Sequence, residues 1–548
     1  MRIIAAQINP TIGDFKGNTQ KIIEAIERAR SQAELIVFPE LSLCGYPPED
    51  LLLHPSFVDN QTTYLEKIIT ASKGLMVVVG LVRKNPSAQE KPLFNSAAII
   101  QDGVLMGFED KRLLPTYDVF DEARYFERGG EVKIWKYQGK RIGVLICEDI
   151  WQHAGYVGYT HYAHDPVLDM MKLKPDLVIN ISASPYQFQK PSVRVEVCAK
   201  SAKSLSCPLI LCCQVGGNDQ LIFDGYSLCV DKLGQLRQVA KGFEADEMLI
   251  DLEVLDAQGK DLSRSFFCDP IEDLYKALVL GVRDYFHKSG VVKACLGLSG
   301  GIDSALVAVI AAEALGKENV LALSMPSIYS SPSSVTDAEV LAKNLQIELM
   351  HVPIEKPFNA FLDLMNPRFK TGVVGITEEN MQARVRGMIL MAVSNQLGCI
   401  VLSTGNKSEL AMGYCTLYGD MCGGLSVISD VTKEQVYLLA RFINCKKEII
   451  PQSSIDKAPS AELKPNQKDT DSLPDYPTVD KVLQSYVEEC LSAEEIAGKH
   501  DLPLALVEGL IHRIHAAEYK RRQAAPGLRV TKKAFSIGRR YPIVQKWS

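Results

Sequence analysis

No C-x-x-C pair occurs among the 14 cysteines and no H-E-x-x-H accompanies the 9 histidines, so zinc ribbons, dithiol redox motifs and metalloprotease sites have no footing. A G-x-x-x-x-G-K-[ST] loop and a G-x-G-x-x-G fingerprint are also missing, which sets aside Walker-type and Rossmann-type phosphate sites. No apolar run approaches the roughly 20 residues that cross a bilayer, and Met1-Arg2-Ile3-Ile4-Ala5-Ala6-Gln7 lacks the apolar segment of a secretory signal. A cytoplasmic protein without a membrane partner is expected. Excess positive charge is absent too: 60 basic against 66 acidic residues give a net charge of −6, which argues against a nucleic-acid partner. There is no internal repeat of fixed period. In a reducing compartment most of the cysteines serve as small buried apolar side chains.

What is present is 548 residues with 47% apolar and 23% charged content, enough for two large globular domains. Over residues 1–255, apolar runs at 3–7, 35–39, 76–80, 97–100, 142–147, 177–181 and 209–214 are bounded by turn residues and alternate with helices. One helix, over 19–30, places Ile22, Ile23, Ile26 and Ala29 on one face. Strands apolar on both faces call for sheets covered on both sides, hence an α/β layered domain. The periodicity lapses across 256–269, which reads as a linker. In the second domain, 270–548, a helix over 271–287 and a strand over 291–298 precede a further alternation at 320–325, 334–345, 348–352, 379–397 and 400–403. That pattern predicts a doubly wound parallel sheet with ligands at the carboxyl ends of its strands. The tail from 478 is helical, with Val479, Val482, Leu483, Ile496, Leu504, Val507, Leu510 and Ile511 as core positions, and the Pro- and Asp-rich stretch 458–477 is a long loop and candidate lid.

Between strand and helix lies Leu298-Ser299-Gly300-Gly301-Ile302-Asp303-Ser304-Ala305. Such a turn aims several backbone N–H groups and the helix dipole at one point, so its preferred guest is a phosphate. At Gly300 and Gly301 a Cβ would obstruct the turn and the approach of an oxyanion. The loop resembles the SGGxDS loop of the ATP pyrophosphatases, which split ATP between its α and β phosphates. That chemistry makes Asp303 a candidate Mg²⁺ ligand and Ser299 and Ser304 donors to pyrophosphate oxygens. Glu409, in Ser403-Thr404-Gly405-Asn406-Lys407-Ser408-Glu409, follows another strand end and offers either a second metal carboxylate or a helix-start acid favoured by the dipole.

In the first half Glu40, Lys111 and Cys147 each end a strand or begin a loop. A thiol nucleophile needs a base and a cation near the oxyanion formed on attack at an amide. Taken singly, Cys147 reads equally as a core residue, Glu40 as a capping carboxylate and Lys111 as a solvated charge. Together, in F-P-E, K-x-x-L-P and C-E-D contexts and in this order, they resemble the nitrilase family over residues 1–255. The resemblance implies an α/β/β/α sandwich, with Glu40 as general base, Cys147 as nucleophile and Lys111 as the orienting cation. The backbone N–H of Glu148 becomes a candidate second oxyanion donor.

Over about 265–548, the segments 378–387 (EENMQARVRG), 416–420 (TLYGD), 457–463 (KAPSAEL) and 518–523 (EYKRRQ) resemble the NAD synthetase family. The resemblance implies that Gly297, Leu298, Ser299, Gly300, Gly301, Ile302, Asp303, Ser304 and Thr404 bind ATP as co-substrate. It further implies that Asn380, Glu409 and Lys520 contact deamido-NAD⁺, that Asp303 and Glu409 hold Mg²⁺, and that the enzyme is a homo-oligomer. Fusion to a nitrilase-type domain implies glutamine as the nitrogen source, an amidotransferase and ligase in NAD biosynthesis, and glutamine contacts from Tyr117, Ser184 and Lys190. Gln189 stands where the family pattern has glycine. An enclosed route for ammonia between the two sites is expected, because free ammonia in neutral water becomes unreactive ammonium. His153, His161 and His164 with Asp165 are weighed as a metal site, and the basic residues Lys520, Arg521, Arg522, Lys532, Lys533, Arg539 and Arg540 as a nucleic-acid surface; neither has the accompanying motif. A tRNA-modifying ATP pyrophosphatase and a catalytically silent ATP-binding scaffold remain as alternatives.

Overall fold

The computed structural model describes the chain apart from residues 88–90, 157–159, 256–259, 264–265, 267–268, 370–374 and 548, and the side chains of 366–369. It forms two units, Met1–Asp269 and Pro270–Ser548. Much of the linker expected over 256–269 lies outside the described residues.

Strand β1 (Arg2–Gln7) shows the rule that builds the first unit: Ile3 and Ala5 enter one core and Ile4 and Ala6 another, as the two-residue strand period requires. β1 lies in a six-stranded sheet with β2 (Leu35–Val37), β3 (Met76–Lys84), β4 (Leu93–Gln101), β5 (Val104–Asp110) and β14 (Asp246–Asp251), in the order β14-β1-β2-β3-β4-β5. The second sheet contains β6 (Ile134–Tyr137), β7 (Lys140–Ile146), β8 (Leu177–Ser182), β9 (Leu209–Cys213), β12 (Leu228–Val230) and β13 (Leu236–Val239), in the order β13-β12-β9-β8-β7-β6. A separate ribbon pairs β10 (Val215–Asn218) with β11 (Leu221–Asp224). The middle of each large sheet is parallel, β1-β2-β3 and β7-β8-β9, and its flanks are antiparallel.

Val37, Val78 and Ile99 of one sheet meet Val144, Ile179 and Ile210 of the other in a shared core. Helices α1 (Phe15–Ala29) and α2 (Pro55–Ala71) cover the first sheet through Ile22, Ile26, Leu65 and Ile68. Helices α3 (Pro166–Lys172) and α4 (Lys190–Leu205) cover the second through Val167, Met170, Val197 and Cys198. The result is the expected α/β/β/α sandwich. The flanking strands β5, β6, β13 and β14 alternate with exposed or half-exposed residues, so no continuous apolar run marks them in sequence.

After a short helix α5 (Leu252–Leu255), the second unit opens with α6 (Pro270–Ser289) and builds an all-parallel sheet, β17-β16-β15-β18-β19, from β15 (Ala294–Gly297), β16 (Val320–Ser324), β17 (Glu348–His351), β18 (Ile400–Ser403) and β19 (Leu425–Ser426). The chain runs outward from β15 to β17 and returns to β18 beside β15, which leaves the doubly wound crevice at the carboxyl end of β15. β15 begins three residues later than the apolar run suggests, because Val292 is exposed. Its crossovers are α7 (Ile302–Leu315), α8 (Pro332–Leu345), α9 (Glu355–Phe369) and α10 (Ile376–Leu397), followed by α11 (Lys407–Met412) and α12 (Lys433–Asn444). Helix α7 is apolar all round because the sheet and the helices α6 and α12 enclose it.

The helical tail packs Val479, Val482, Leu483, Ile496, Val507, Leu510 and Ile511 with Ala411 and Met412 of α11 in one cluster. Leu504 does not join them. It opens its helix at the surface, 41% exposed, and the buried stripe starts at Val507. Beneath the tail the fully buried Lys407 donates to Glu488 Oε1 at 2.7 Å and Thr531 Oγ1 at 2.7 Å, and pairs with Asp430 at 3.0 Å. Ile496→Ala is expected to cost about 2–5 kcal/mol, whereas Leu504→Ala stays within about 0.5 kcal/mol; urea unfolding of the two variants reads the contrast, and equal losses would restore Leu504 to the core.

Candidate active sites

In the first unit Glu40 sits in the loop that leaves β2. Gly80 of β3 lets that loop lie flat, since a Cβ there would be 2.4 Å from the Pro39 carbonyl oxygen and 2.4 Å from the Leu41 nitrogen. Lys111 immediately follows β5 and Cys147 immediately follows β7. Cys147 takes a left-handed φ of 43°, which turns the chain sharply into the helical turn Cys147–Ile150. Asp149 closes this turn by accepting from Ile146 N at 3.0 Å, and its other oxygen accepts from Arg112 N at 3.0 Å and Leu113 N at 2.9 Å. The lysine loop is thereby pinned to the cysteine turn.

The Lys111 ammonium donates to Glu40 Oε1 and to Glu122 Oε1, both at 2.7 Å. Glu40 also accepts from Asn95 Nδ2 at 2.7 Å and from Ala183 N at 2.9 Å. Burial works against the Lys111 charge, but Glu122 and Glu40 outweigh it and hold the ammonium above its usual range. Burial pushes Glu122 up to about 7 against the pull of Lys111, and Tyr46 donates to it at 2.8 Å. Burial and the Glu40 charge push the Cys147 thiol well up, while Ser182 Oγ donates to its Sγ at 3.3 Å. Cys147 therefore rests as a thiol near the Glu40 carboxylate, an arrangement that suits a nucleophile and its base. Glu122, in a short turn Glu122–Arg124, has no motif around it to mark it in sequence.

Around this cluster Tyr117 donates to both oxygens of Glu148 at 3.0 Å, and Tyr162 donates to one of them at 3.3 Å. Ser184 is buried just beyond β8, and Lys190 opens α4, with its ammonium on the Pro185 carbonyl at 2.8 Å and over the Trp151 ring at 5.3 Å. Gln189 holds a left-handed φ of 66°, which explains why glycine suits that position. His153 bridges Asp165 and Ser204 at 2.8 Å each, tying Asp165 to α4. Among the described residues no group of three or more His, Cys, Asp and Glu is placed to hold a metal.

In the second unit a cavity of about 310 Å³ opens at the carboxyl ends of the strands, lined by Gly297, Leu298, Ser299, Gly301, Ile302, Asp303, Ser304 and Thr404. Gly300 points elsewhere. Its φ is +81° and a Cβ would be 2.1 Å from the Ser334 carbonyl of α8, so the turn and the packing of α8 both require glycine there. Ser304 Oγ accepts from Ser299 N at 3.2 Å and donates to the Gly301 carbonyl at 3.0 Å, which shapes the loop from within. Asp303 accepts from Asn406 Nδ2 at 2.8 Å and from Lys433 at 2.5 Å, and Lys433 also reaches Glu409 at 3.3 Å. Burial and the charge of Asp303 push Glu409 up to about 8. Two carboxylates meeting at one cation suit Mg²⁺, which takes one or two protein carboxylates and completes its shell with water and phosphate oxygens. Lys433, first residue of α12, is a participant that its sequence context does not reveal.

Asn380 accepts from Thr416 Oγ1 at 2.8 Å, and Lys520 donates to the carbonyls of Gly413 at 2.8 Å and Cys415 at 2.7 Å. Both brace the turn that follows Glu409, and neither lines the cavity itself. The candidate lid contributes Pro459, Ser460, Ala461 and Glu462 to the cavity wall.

Family models divide the chain at the same place as the fold: a carbon-nitrogen hydrolase model matches residues 2–254 and an NAD synthase model matches residues 274–524. The chain is 46% identical over 550 residues to the glutamine-dependent NAD(+) synthetase of Synechocystis, covering 99% of this chain and 98% of that protein. It is 41% identical to the Thermotoga maritima protein of the same name, covering 100% and 99%. Among solved structures it matches a glutamine-dependent NAD+ synthetase from Acinetobacter baumannii in complex with ADP at TM-score 0.77 and 39% identity, covering 100% and 99%.

Two outcomes follow from the geometry. Gln189→Gly should leave glutamine use intact and thermal stability unchanged or higher, since it removes left-handed strain of about 1 kcal/mol; a marked loss of stability would show that the Gln189 side chain is structural. The raised Glu409 carboxyl keeps its proton in the native state between its ordinary value of 4.5 and about 8, where the unfolded chain has released it. Stability from this group therefore falls as pH rises through that window, and Glu409→Gln should flatten that part of the melting temperature against pH profile.

Proposed function

As the chain belongs to the family of glutamine-dependent NAD(+) synthetases, we propose the following division of labour among its residues for converting deamido-NAD⁺, ATP and glutamine to NAD⁺, AMP, diphosphate and glutamate. The observation that carries it is the Lys111 ammonium held between two buried acidic side chains near Cys147, on a chain whose glycine loop also lines a cavity of about 310 Å³.

At the first site Tyr117, Ser184 and Lys190 hold glutamine. Glu40 takes the thiol proton as Cys147 attacks the side-chain amide carbon. Lys111 and the backbone N–H of Glu148 meet the charge that forms on the amide oxygen. Collapse of the tetrahedral adduct breaks the C–N bond, with Glu40 returning its proton to the departing nitrogen, and leaves a thioester and ammonia. Glu40 then takes a proton from water as its oxygen attacks the thioester carbon; the C–S bond breaks, Glu40 returns the proton to the Cys147 sulfur, and glutamate leaves. Glu122 keeps the Lys111 ammonium in register through its own hydrogen bond.

At the second site the N–H groups and serine hydroxyls of 297–304, with Thr404, cradle ATP, while Asn380, Glu409 and Lys520 form the surface for deamido-NAD⁺. The nicotinate carboxylate attacks the α-phosphorus, diphosphate leaves, and ammonia then displaces AMP from the acyl adenylate to give the amide. Asp303 and Glu409 would hold Mg²⁺, which when bound offsets the charge gathering on the diphosphate. Lys433 keeps these two carboxylates together. We assign the protein to the cytoplasm and to a homo-oligomeric state; among the described residues no helix is long and apolar enough to cross a membrane.

Supplying ATP, Mg²⁺, deamido-NAD⁺ and glutamine should yield NAD⁺, AMP, diphosphate and glutamate in equal amounts, and the absence of NAD⁺ would overturn the reading. Cys147→Ala should abolish glutamine-dependent synthesis, a loss on the order of 10³-fold or more, and leave ammonia-dependent synthesis working. Loss of both would make Cys147 a structural residue.

A further inference from the structure

The cavity of the second unit is walled by three cationic side chains, and two of them are already engaged. Lys433 is shared by Asp303 and Glu409. Lys457 pairs with Glu462 and donates to Ser331 Oγ at 2.9 Å. The third, Arg386, has no ion-pair partner among the described residues. Its Nε donates to the Met325 carbonyl at 3.0 Å, the residue lines the cavity, and no hydrogen bond among the described residues takes up its terminal nitrogens. Asp420, on the turn after Glu409, and Glu462, on the candidate lid, face it only at longer range. Burial pushes its guanidinium down to about 10, so it stays charged at neutral pH. A guanidinium whose carboxylate neighbours stand off at longer range gains most from a ligand that brings the opposite charge into direct contact.

Its position says which part of a nucleotide that charge belongs to. Arg386 lies on α10 one turn before Leu390 and reaches over Met325, the residue that follows β16. Met325 and Leu390 close around Gly297, whose Cβ would lie 3.2 Å from Met325 Cε and 3.7 Å from Leu390 Cδ1. This apolar end, at the tip of β15, fits a nucleoside. Beyond Gly297 the loop carries Ser299, Asp303 and Ser304, with Lys433 paired to Asp303, at the N-terminus of α7, where a pyrophosphate fits. The phosphoryl group between nucleoside and pyrophosphate is the α-phosphate.

We propose that Arg386 grips the α-phosphate of ATP through its terminal N–H groups and keeps that grip in the acyl adenylate and in AMP. Two parallel N–H donors match two non-bridging oxygens of a phosphoryl group, and the pairing tightens as attack at phosphorus loads charge onto those oxygens. The proposal rests on the reading of this cavity as the ATP site.

Calorimetric binding of ATP, AMP, diphosphate and adenosine to the full chain and to R386Q separates the possibilities. R386Q is expected to weaken ATP and AMP by roughly 10- to 100-fold, as loss of hydrogen bonds to a charged group does, with diphosphate and adenosine unchanged within about twofold. Unchanged AMP affinity, or a loss shared equally by diphosphate or adenosine, would overturn it. R386K, which keeps the charge but not the fork, serves if R386Q does not fold: an AMP affinity lowered about tenfold supports the fork, and an unchanged one overturns it. If the unaltered chain binds no ATP, the ATP reading of the cavity fails instead.

Discussion

Among the described residues three buried lysine ammonium groups are each held between two acidic side chains: Lys111 by Glu40 and Glu122, Lys407 by Asp430 and Glu488, and Lys433 by Asp303 and Glu409. A buried ammonium left alone would lose its proton or unfold its surroundings, and breaking such a pair typically costs about 3–5 kcal/mol. The pairs therefore constrain which loops can lie together. Lys111 joins the exits of β2 and β5 to the turn at Glu122. Lys433 joins the glycine loop to the turn that starts α11. Lys407 does the same for the C-terminal segment, with no substrate in view. The same electrostatic device recurs at both candidate sites and at one structural anchor, and what separates them is the neighbour: a thiol, a cavity, or neither.

The architecture delivers these loops to common points because parallel strands end side by side. In the first unit Glu40, Cys147 and Ser184 follow β2, β7 and β8, and Lys111 follows the antiparallel β5. In the second, the glycine loop follows β15, Met325 follows β16 and Thr404 follows β18. The central strands are mostly apolar, so the chemistry collects mainly where they stop and backbone N–H groups come free, with Asn95 of β4 and Ser182 of β8 the strand residues that reach into the first cluster. The left-handed backbone at Cys147 and Gln189 belongs to the same economy, since tight exits are where side chains can be aimed without disturbing the sheet.

Much of this was legible in sequence. Central strands, buried on both faces, announced themselves as continuous apolar runs, and the residues that resemble the two families fell at their ends. Flanking strands such as β5 and β14 were not, because alternation over a few half-exposed residues resembles an ordinary surface loop. Leu504 fitted a helical stripe by spacing, yet the start of its helix stands out of the core. At Gly300 the sequence pointed to a turn that a Cβ would obstruct, and only the fold showed that the Ser334 carbonyl of α8 would also meet it.

Local order along the chain determined that a thiol, a carboxylate and a lysine each stand at a strand exit, and that a glycine turn opens a helix at another, because periodicity and turn chemistry act over a few residues. The partners of those groups were decided only by tertiary structure. Glu122, Asn95 and Lys433 carry no motif, and their roles come from distances across the fold: Glu122 and Asn95 complete the Lys111–Glu40 cluster, and Lys433 bridges Asp303 and Glu409 across 130 and 24 residues. Charge pairing in an enclosed site depends on separation in space, and that separation exists only once the sheets have closed.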